Sequence, residues 1–298
     1  MEMRKNRKVY VKRSGGLGDV LWIEPVIRVL AKKNSQVVVI TYFTELFENY
    51  PEKNVTFIKK VTGFEKLKLG ILKILRVSGH YVYLNGAYEK YPNQHFLHAY
   101  QKKAGLPLTQ ELPRLFLTES EKAASCTSQP YVVIHCQSAV QKNYRKIFGI
   151  DWNRVAQDIQ HMGYRPIFIG QTPGVRDVPI FNQGIRQLIG LIYNARLFIG
   201  LDSGPSHIAQ SLRIPAIIFF GAVNPAFRIF RPLFSGMVMQ KPCAYAGCYH
   251  RVRNTVLGPR CRIAGDEGTP LCCVHSNDDL LTHIGEILQA ATRCRELG

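Results

Sequence analysis

Short apolar runs alternate with polar turns and with stretches of helical apolar spacing along this 298-residue chain. Residues 9–11 read as a buried strand, a glycine-rich stretch (residues 13–19) follows, and helical spacing runs from about residue 20 to residue 33. Residues 36–40, 55–58 and 81–84 read as further strands, with helical spacing over residues 67–75. A helix beginning near Leu97 is stopped by Gly105, Leu106 and Pro107. The same rhythm returns in the second half. Residues 131–134 form an apolar run, a helix is expected over residues 152–162, and residues 166–169 make a strand ended by Gly170. Residues 197–201 and 216–220 are strands flanking a short helical pattern through Ile208, Ala209 and Leu212. Strands joined through helices give parallel sheets, so the expected class is α/β with two Rossmann-like parallel-sheet domains. The polar stretch 119–129 is the expected linker between a domain of residues 1–118 and one of residues 130–298.

In open parallel sheets ligands collect beyond the carboxyl ends of the strands. Two acids fall there. Asp19 stands where the first glycine-rich loop becomes a helix, and Asp202 opens Asp202-Ser203-Gly204-Pro205 after the strand 197–201. Each acid has a local alternative, the capping of the helix that follows. The free N–H groups at such a helix start suit a phosphate or sugar hydroxyl. Gly16-Leu17-Gly18 is not a dinucleotide fingerprint: Leu21 occupies the third glycine position, and no acid ends the second strand.

Charge alters this picture less than its size suggests. Thirty-nine Lys and Arg against 21 Asp and Glu give +18, which attracts nucleic acid, anionic membranes and phosphorylated substrates alike. The basic residues are spread along the chain without a nucleic-acid-binding motif, so nucleic acid is not the expected partner. A peripheral contact with an anionic membrane fits the charge. No apolar run is long enough to span a membrane, and a charged start without an export signal points to the cytoplasm.

The residues Phe198-Ile199-Gly200, Asp202-Ser203-Gly204-Pro205, His207, Ala209, Pro215, Phe220-Gly221, Pro225 and Pro232 carry a resemblance. They resemble the C-terminal signature of glycosyltransferase family nine, the ADP-heptose heptosyltransferases. Gly18-Asp19 followed by Pro25 and Leu30 is similar to that family's N-terminal motif. The resemblance implies a GT-B fold with its domains facing a cleft, and inverting transfer of heptose from ADP-heptose to a lipopolysaccharide core sugar or a protein hydroxyl. It makes Asp19 the catalytic base, with Gly16, Leu17 and Gly18 forming an acceptor-side loop. Ser138 and Arg145 or Lys146 would bind the diphosphate, while Asp202, Ser203, Gly204, Pro205 and His207 hold the donor. No catalytic metal is expected, and an oligomer is compatible with the sequence. The first half is short for the family, which bears on the acceptor elements. Another GT-B enzyme, a transferase or epimerase for a different nucleotide sugar, shares much of this pattern. A basic, metal-clamped module for nucleic acid or membrane is the other alternative.

Five of eight cysteines fall in one window: Cys243, Cys248, Cys261, Cys272 and Cys273. The loop from 241 to 273 has little periodicity and many Pro, Gly and Arg, so it needs a clamp. Thiolates holding zinc or iron would supply a structural one. Disulfides are the competing account, less suited to a reducing compartment. Protein-directed heptosyltransferases of the same family carry a four-cysteine iron site near this position, which implies Cys243, Cys248, Cys261 and Cys273 as ligands. Cys272 is the substitute for the last, and His250 or His275 for any thiolate.

Overall fold

The computed structural model describes residues 5–74, 79–123, 128–138, 143–172, 174–245, 247–250, 261–265 and 268–296. The chain divides into two compact units between Glu119 and Ser120. In the first, strand β1 (Lys5–Lys12) leads through a loop to helices α1 (Leu17–Leu21) and α2 (Glu24–Lys33), then to strands β2 (Asn34–Ile40) and β3 (Val55–Ile58). Helix α3 (Gly63–Ile74), strand β4 (Tyr81–Tyr83), and helices α4 (Ala87–Lys90) and α5 (Phe96–Ala104) complete it. The sheet order is β3-β2-β1-β4, all parallel. The chain thus moves outward from β1 on one side and returns to its other side, which puts a topological switch point at the carboxyl ends of β1 and β4.

One helix was expected over residues 20–33, and the structure breaks it in two. Trp22 and Ile23 turn the chain, and Pro25 sits in the first turn of α2. A proline there lacks only an N–H that would be unbonded anyway, whereas deeper in a continuous helix it would remove a bond and clash. Beside it Glu24 is completely buried. Its carboxylate accepts from Arg28 at 3.1 and 3.0 Å, from the Tyr50 hydroxyl at 3.2 Å and from the Arg114 N–H at 3.0 Å. Burial pushes this carboxyl up, against the opposing pull of Arg28. The Arg114 bond pins the last stretch of the unit back onto α2.

The second unit opens with helix α6 (Glu119–Ala123), counted here from its first residue, inside the stretch expected to be a plain linker. Glu121 accepts from Arg186 at 2.7 and 2.6 Å. Strand β5 (Tyr131–His135), helix α7 (Trp152–His161) and strands β6 (Arg165–Ile169) and β7 (Ile180–Phe181) follow. Helix α8 (Ile185–Tyr193), strand β8 (Leu197–Leu201), helix α9 (Gly204–Ser211), and strands β9 (Ala216–Phe219) and β10 (Gly236–Met239) lead to the long α10 (Asn277–Glu296). The six strands run in the order β10-β9-β8-β5-β6-β7, again all parallel. Every residue of β5, β8 and β9 is buried, as expected for strands covered on both faces. On one face Val155, Ala156 and Ile159 of α7 and Leu280, Ile284 and Leu288 of α10 pack against them. The switch point here lies between β5 and β8. No helix among the described residues is long and apolar enough to cross a membrane.

Candidate functional site

At the switch point of the first unit, Asp19 is the third residue of α1. Its Oδ2 accepts from the Gly16 N–H at 3.1 Å, which is the capping role, and also meets an Arg13 guanidinium nitrogen at 3.2 Å. Oδ1 accepts from the Tyr88 hydroxyl at 2.5 Å. The remaining directions follow by elimination. Arg13 Nε donates to the Tyr100 hydroxyl at 2.9 Å, so Tyr100 passes its own proton to Tyr88, and Tyr88 passes its proton to Asp19. The guanidinium thus begins and closes one ring of hydrogen bonds through Tyr100, Tyr88 and Asp19. Asn85, just after β4, accepts from the Ser14 N–H at 2.7 Å and from Arg13 at 3.3 Å, while the Lys103 ammonium donates to its carbonyl. Burial pushes the Lys103 amine down. Gly15 is required by space: a Cβ there would come within 2.8 Å of Asp19 and 3.0 Å of Arg13. Two nearby aromatic residues do different work. Tyr88 serves the carboxylate, and Phe96 is buried against Trp22 at a 4.8 Å ring separation.

In the second unit Asp202 follows β8 directly, its N–H bonded to Phe219 at the end of β9. It is not the helix cap. Ser203 takes that position, its N–H bonded to Ser206 Oγ at 3.2 Å, and Ser206 donates in turn to the Ser203 carbonyl at 2.7 Å. Gly204 and Pro205 form the first turn of α9. Asp202 is 6 % exposed. One Arg145 nitrogen bonds its carbonyl at 2.5 Å and lies 3.4 Å from Oδ2, while His207 Nε2 stands 3.6 Å from Oδ1. His207 Nδ1 accepts from Gln210, which leaves the ring proton on Nε2, toward the acid. Burial alone would raise the Asp202 carboxyl. His207 and the Arg145 and Arg228 guanidinium groups outweigh it and hold the acid well below the usual carboxylate range. Arg145, expected on a phosphate, thus spends one nitrogen on the acid, and its Nε is buried without a partner among the described residues. Ser138 and Lys146 are partly buried in the segments after β5.

His135, at the end of β5, is a member of this site that the sequence reading passed over. Ser203 Oγ donates to the Leu201 carbonyl at 3.1 Å, so His135 Nδ1 donates to Ser203 Oγ at 3.0 Å. Burial pushes the imidazole down to about 4.

The turn that carries Arg145 is fixed from below. The Ala222 N–H bonds the Tyr144 carbonyl, and a Cβ on Gly221 would approach that oxygen to 2.1 Å and the Cys273 sulfur to 2.4 Å. Phe148 and residues 273–275 pair in parallel through two further backbone bonds of 2.9 Å. The cysteine segment and the Arg145 turn therefore share a wall. Cys243, Cys248, Cys261 and Cys272 line a single cavity of about 10 Å³, on the order of what one water-sized sphere needs. Cys273 does not line it. Consecutive residues of the short turn Leu271–Cys273 point differently, and its sulfur packs on Gly221, 4.0 Å from that of Cys272. Cys272, the substitute expected for Cys273, is the one of the pair that lines the cavity. His275 is buried against Phe219, and the described cysteines are free. Among the described residues no group of three or more His, Cys, Asp or Glu stands close enough to hold a metal ion.

The sequence model of glycosyltransferase family 9 (heptosyltransferase) matches residues 182–236, from the approach to α8 through the Asp202 turn to the start of β10. The autotransporter heptosyltransferase Aah of Escherichia coli is 24 % identical over 252 residues, covering 78 % of this chain and 61 % of that protein. The chain therefore spans about three fifths of that relative's length. The iron-containing, dodecameric heptosyltransferase TibC of enterotoxigenic E. coli, crystallised with ADP-D-beta-D-heptose, superposes with a TM-score of 0.71 at 20 % identity. It covers 98 % of this chain and 80 % of TibC. The E. coli ADP-heptose lipopolysaccharide heptosyltransferase II gives 0.67 at 15 % identity, covering 95 % and 99 %. These likenesses show the GT-B fold.

Proposed function

We propose that the chain is a heptosyltransferase of glycosyltransferase family 9, whose model matches residues 182–236, and that it transfers heptose from ADP-heptose to a hydroxyl of a protein or saccharide, with inversion. The observation that carries the reading is the pair of switch points, each furnished with an acid at a glycine-rich turn and each with different partners. The first unit binds the acceptor and the second the donor. Asp19 takes the proton from the acceptor hydroxyl as its oxygen bonds the anomeric carbon. The bond from that carbon to the diphosphate oxygen breaks on the opposite face, and ADP leaves with the electron pair. Gly16, Leu17 and Gly18 line the acceptor side. Asp202 holds sugar hydroxyls and orients Arg145. Ser203, Gly204, Pro205 and His207 shape the start of α9, where Ser138, Lys146 and the remaining Arg145 nitrogens meet the departing charge.

The cysteine cavity is suited to one ion. The four cysteines among the residues that line it supply the donor set of a structural iron or zinc site, with Cys243, Cys248, Cys261 and Cys272 as ligands. Such an ion would tie the loop to the Arg145 turn and leave the reaction to side chains. The likeness to TibC supports iron and an oligomer, and reduced cysteines support a cytoplasmic place of action.

Calorimetry tests the donor. ADP-heptose should bind and a uridine-diphosphate sugar should not, and mass spectrometry should find a heptose added to an acceptor protein or saccharide. Equal binding of both nucleotides, or hydrolysis without transfer, would overturn the assignment. Elemental analysis should find about one iron or zinc per chain, lost together with the fold of the loop when Cys272→Ser is introduced.

A further inference from the structure

Helix α3 is turned the unexpected way. Among its described side chains, the large apolar Phe64, Leu67 and Ile71 are 80 %, 61 % and 47 % exposed, while Leu69 is buried, against Tyr10, Val38 and Ile40. At about 100° per residue the three exposed side chains fall within an arc of about 60°, opposite Leu69. They form one stripe facing solvent. No other helix among the described residues exposes more than one large apolar side chain.

The rim of the stripe narrows the choice of occupant. Lys68 borders it on one side, and Gly63 and Gly70, whose Cβ positions meet nothing within 4 Å, border it on the other. A flat surface can therefore approach without obstruction. Lys60 and Lys66 are exposed nearby. Glu65, the helix's one acid, is drawn off by Tyr10 at 2.5 Å and Lys8 at 3.3 Å, so the charge presented outward is positive. Three side chains fall far short of the roughly 800 Å² per partner that a stable protein interface buries. Shallow insertion of an apolar face under a lysine rim is the binding mode of interfacial helices on anionic lipid. From this geometry and the +18 charge of the chain, we infer that α3 is a docking face for an anionic lipid surface, reversible and peripheral. The inference is independent of the transfer reaction.

Sedimentation of the full chain with phosphatidylcholine vesicles, with and without phosphatidylglycerol, tests it. The protein should pellet with the anionic vesicles and release as salt rises. The triple change Phe64→Ser, Leu67→Ser, Ile71→Ser should lower the partition by about tenfold or more, since three large apolar groups leave the interface. Lys66→Glu with Lys68→Glu should remove much of the salt dependence. Both variants should melt close to the parent, because none of the altered side chains belongs to the buried core. Equal binding to neutral vesicles, or undiminished binding of the triple variant, would sink the proposal. A triple variant that binds lipid normally but sediments as a smaller assembly would show instead that the stripe joins copies of this chain.

Discussion

Asp19 and Asp202 both stand at the switch point of a parallel sheet, Asp19 in the helix after β1 and Asp202 directly after β8, and their surroundings differ. The Asp19 side chain is 30 % exposed and is held by a backbone N–H, one guanidinium and a tyrosine hydroxyl. That of Asp202 is 9 % exposed and lies between an arginine and a histidine. An acid in contact with water can exchange a proton during a reaction. An acid buried between a guanidinium and an imidazole N–H is a standing negative charge, and its use is to hold other groups still. A carboxylate near the end of a parallel strand thus takes its exposure and its partners from what distant segments bring to it.

Exchanging the oxygen for nitrogen at each acid should separate the two roles. Asp19→Asn preserves shape and should reduce the transfer rate by about 10² to 10⁴, with nucleotide affinity and melting temperature nearly unchanged. Near-normal turnover would remove Asp19 from the chemistry. Asp202→Asn should act the other way round. Leaving Arg145 and His207 buried without their anion costs about 3 to 5 kcal/mol in comparable pairs, so denaturant melts should shift strongly and nucleotide binding should fall with them. An unshifted melt would contradict the standing-charge account.

The contrast sharpens with pH. Burial depresses His135 to about 4 from an ordinary 6.5, so the unfolded chain binds a proton first as the solution is acidified. Stability is therefore full above about pH 6.5 and declines between there and about pH 4, by on the order of 3 kcal/mol for this group alone. Urea titrations across that window should show the slope, and His135→Gln should flatten it. The smallest effect belongs to Tyr88→Phe, which removes one donor to Asp19 without unfolding the ring. A neutral hydrogen bond of this kind is worth about 1 kcal/mol. The turnover should fall by several-fold, with the melting temperature and nucleotide affinity unchanged. A fall in turnover matched by a lower melting temperature would make Tyr88 a packing residue only.

Much of this was legible in the chain, and the boundary is instructive. The buried strands 131–134 and 197–201 announce themselves as uninterrupted apolar runs, and Asp151, which caps α7 through bonds of 3.0 and 3.3 Å, ends a readable turn. Asp19 and Asp202 stood out because their turns have a local signature. Their partners did not. Arg13 meets Tyr100 across 87 residues, and Tyr88 meets Asp19 across 69. Such pairs depend on β4 lying beside β1, which periodicity along the chain does not encode. Glu24 was invisible for the same reason, since an acid beside a proline reads as a helix start until Arg114 is seen to fold back on it. The two-residue strand β7 and the glycine-led β10 are too short or too weakly apolar to announce themselves, and α3 carries a pattern that implies burial of the very side chains it exposes.

Gly221 carries no side chain, and that lack sets a distance. With the Tyr144 carbonyl on one side and the Cys273 sulfur on the other, any larger residue would have to move one of them by about an ångström or more to reach ordinary contact. A disturbance on the cysteine side is therefore transmitted to Arg145 as a displacement rather than absorbed. If Arg145 serves the donor as proposed, oxidation of the sulfurs and a lesion at Arg145 itself would produce the same loss of binding, and a thiol count would tell the two injuries apart.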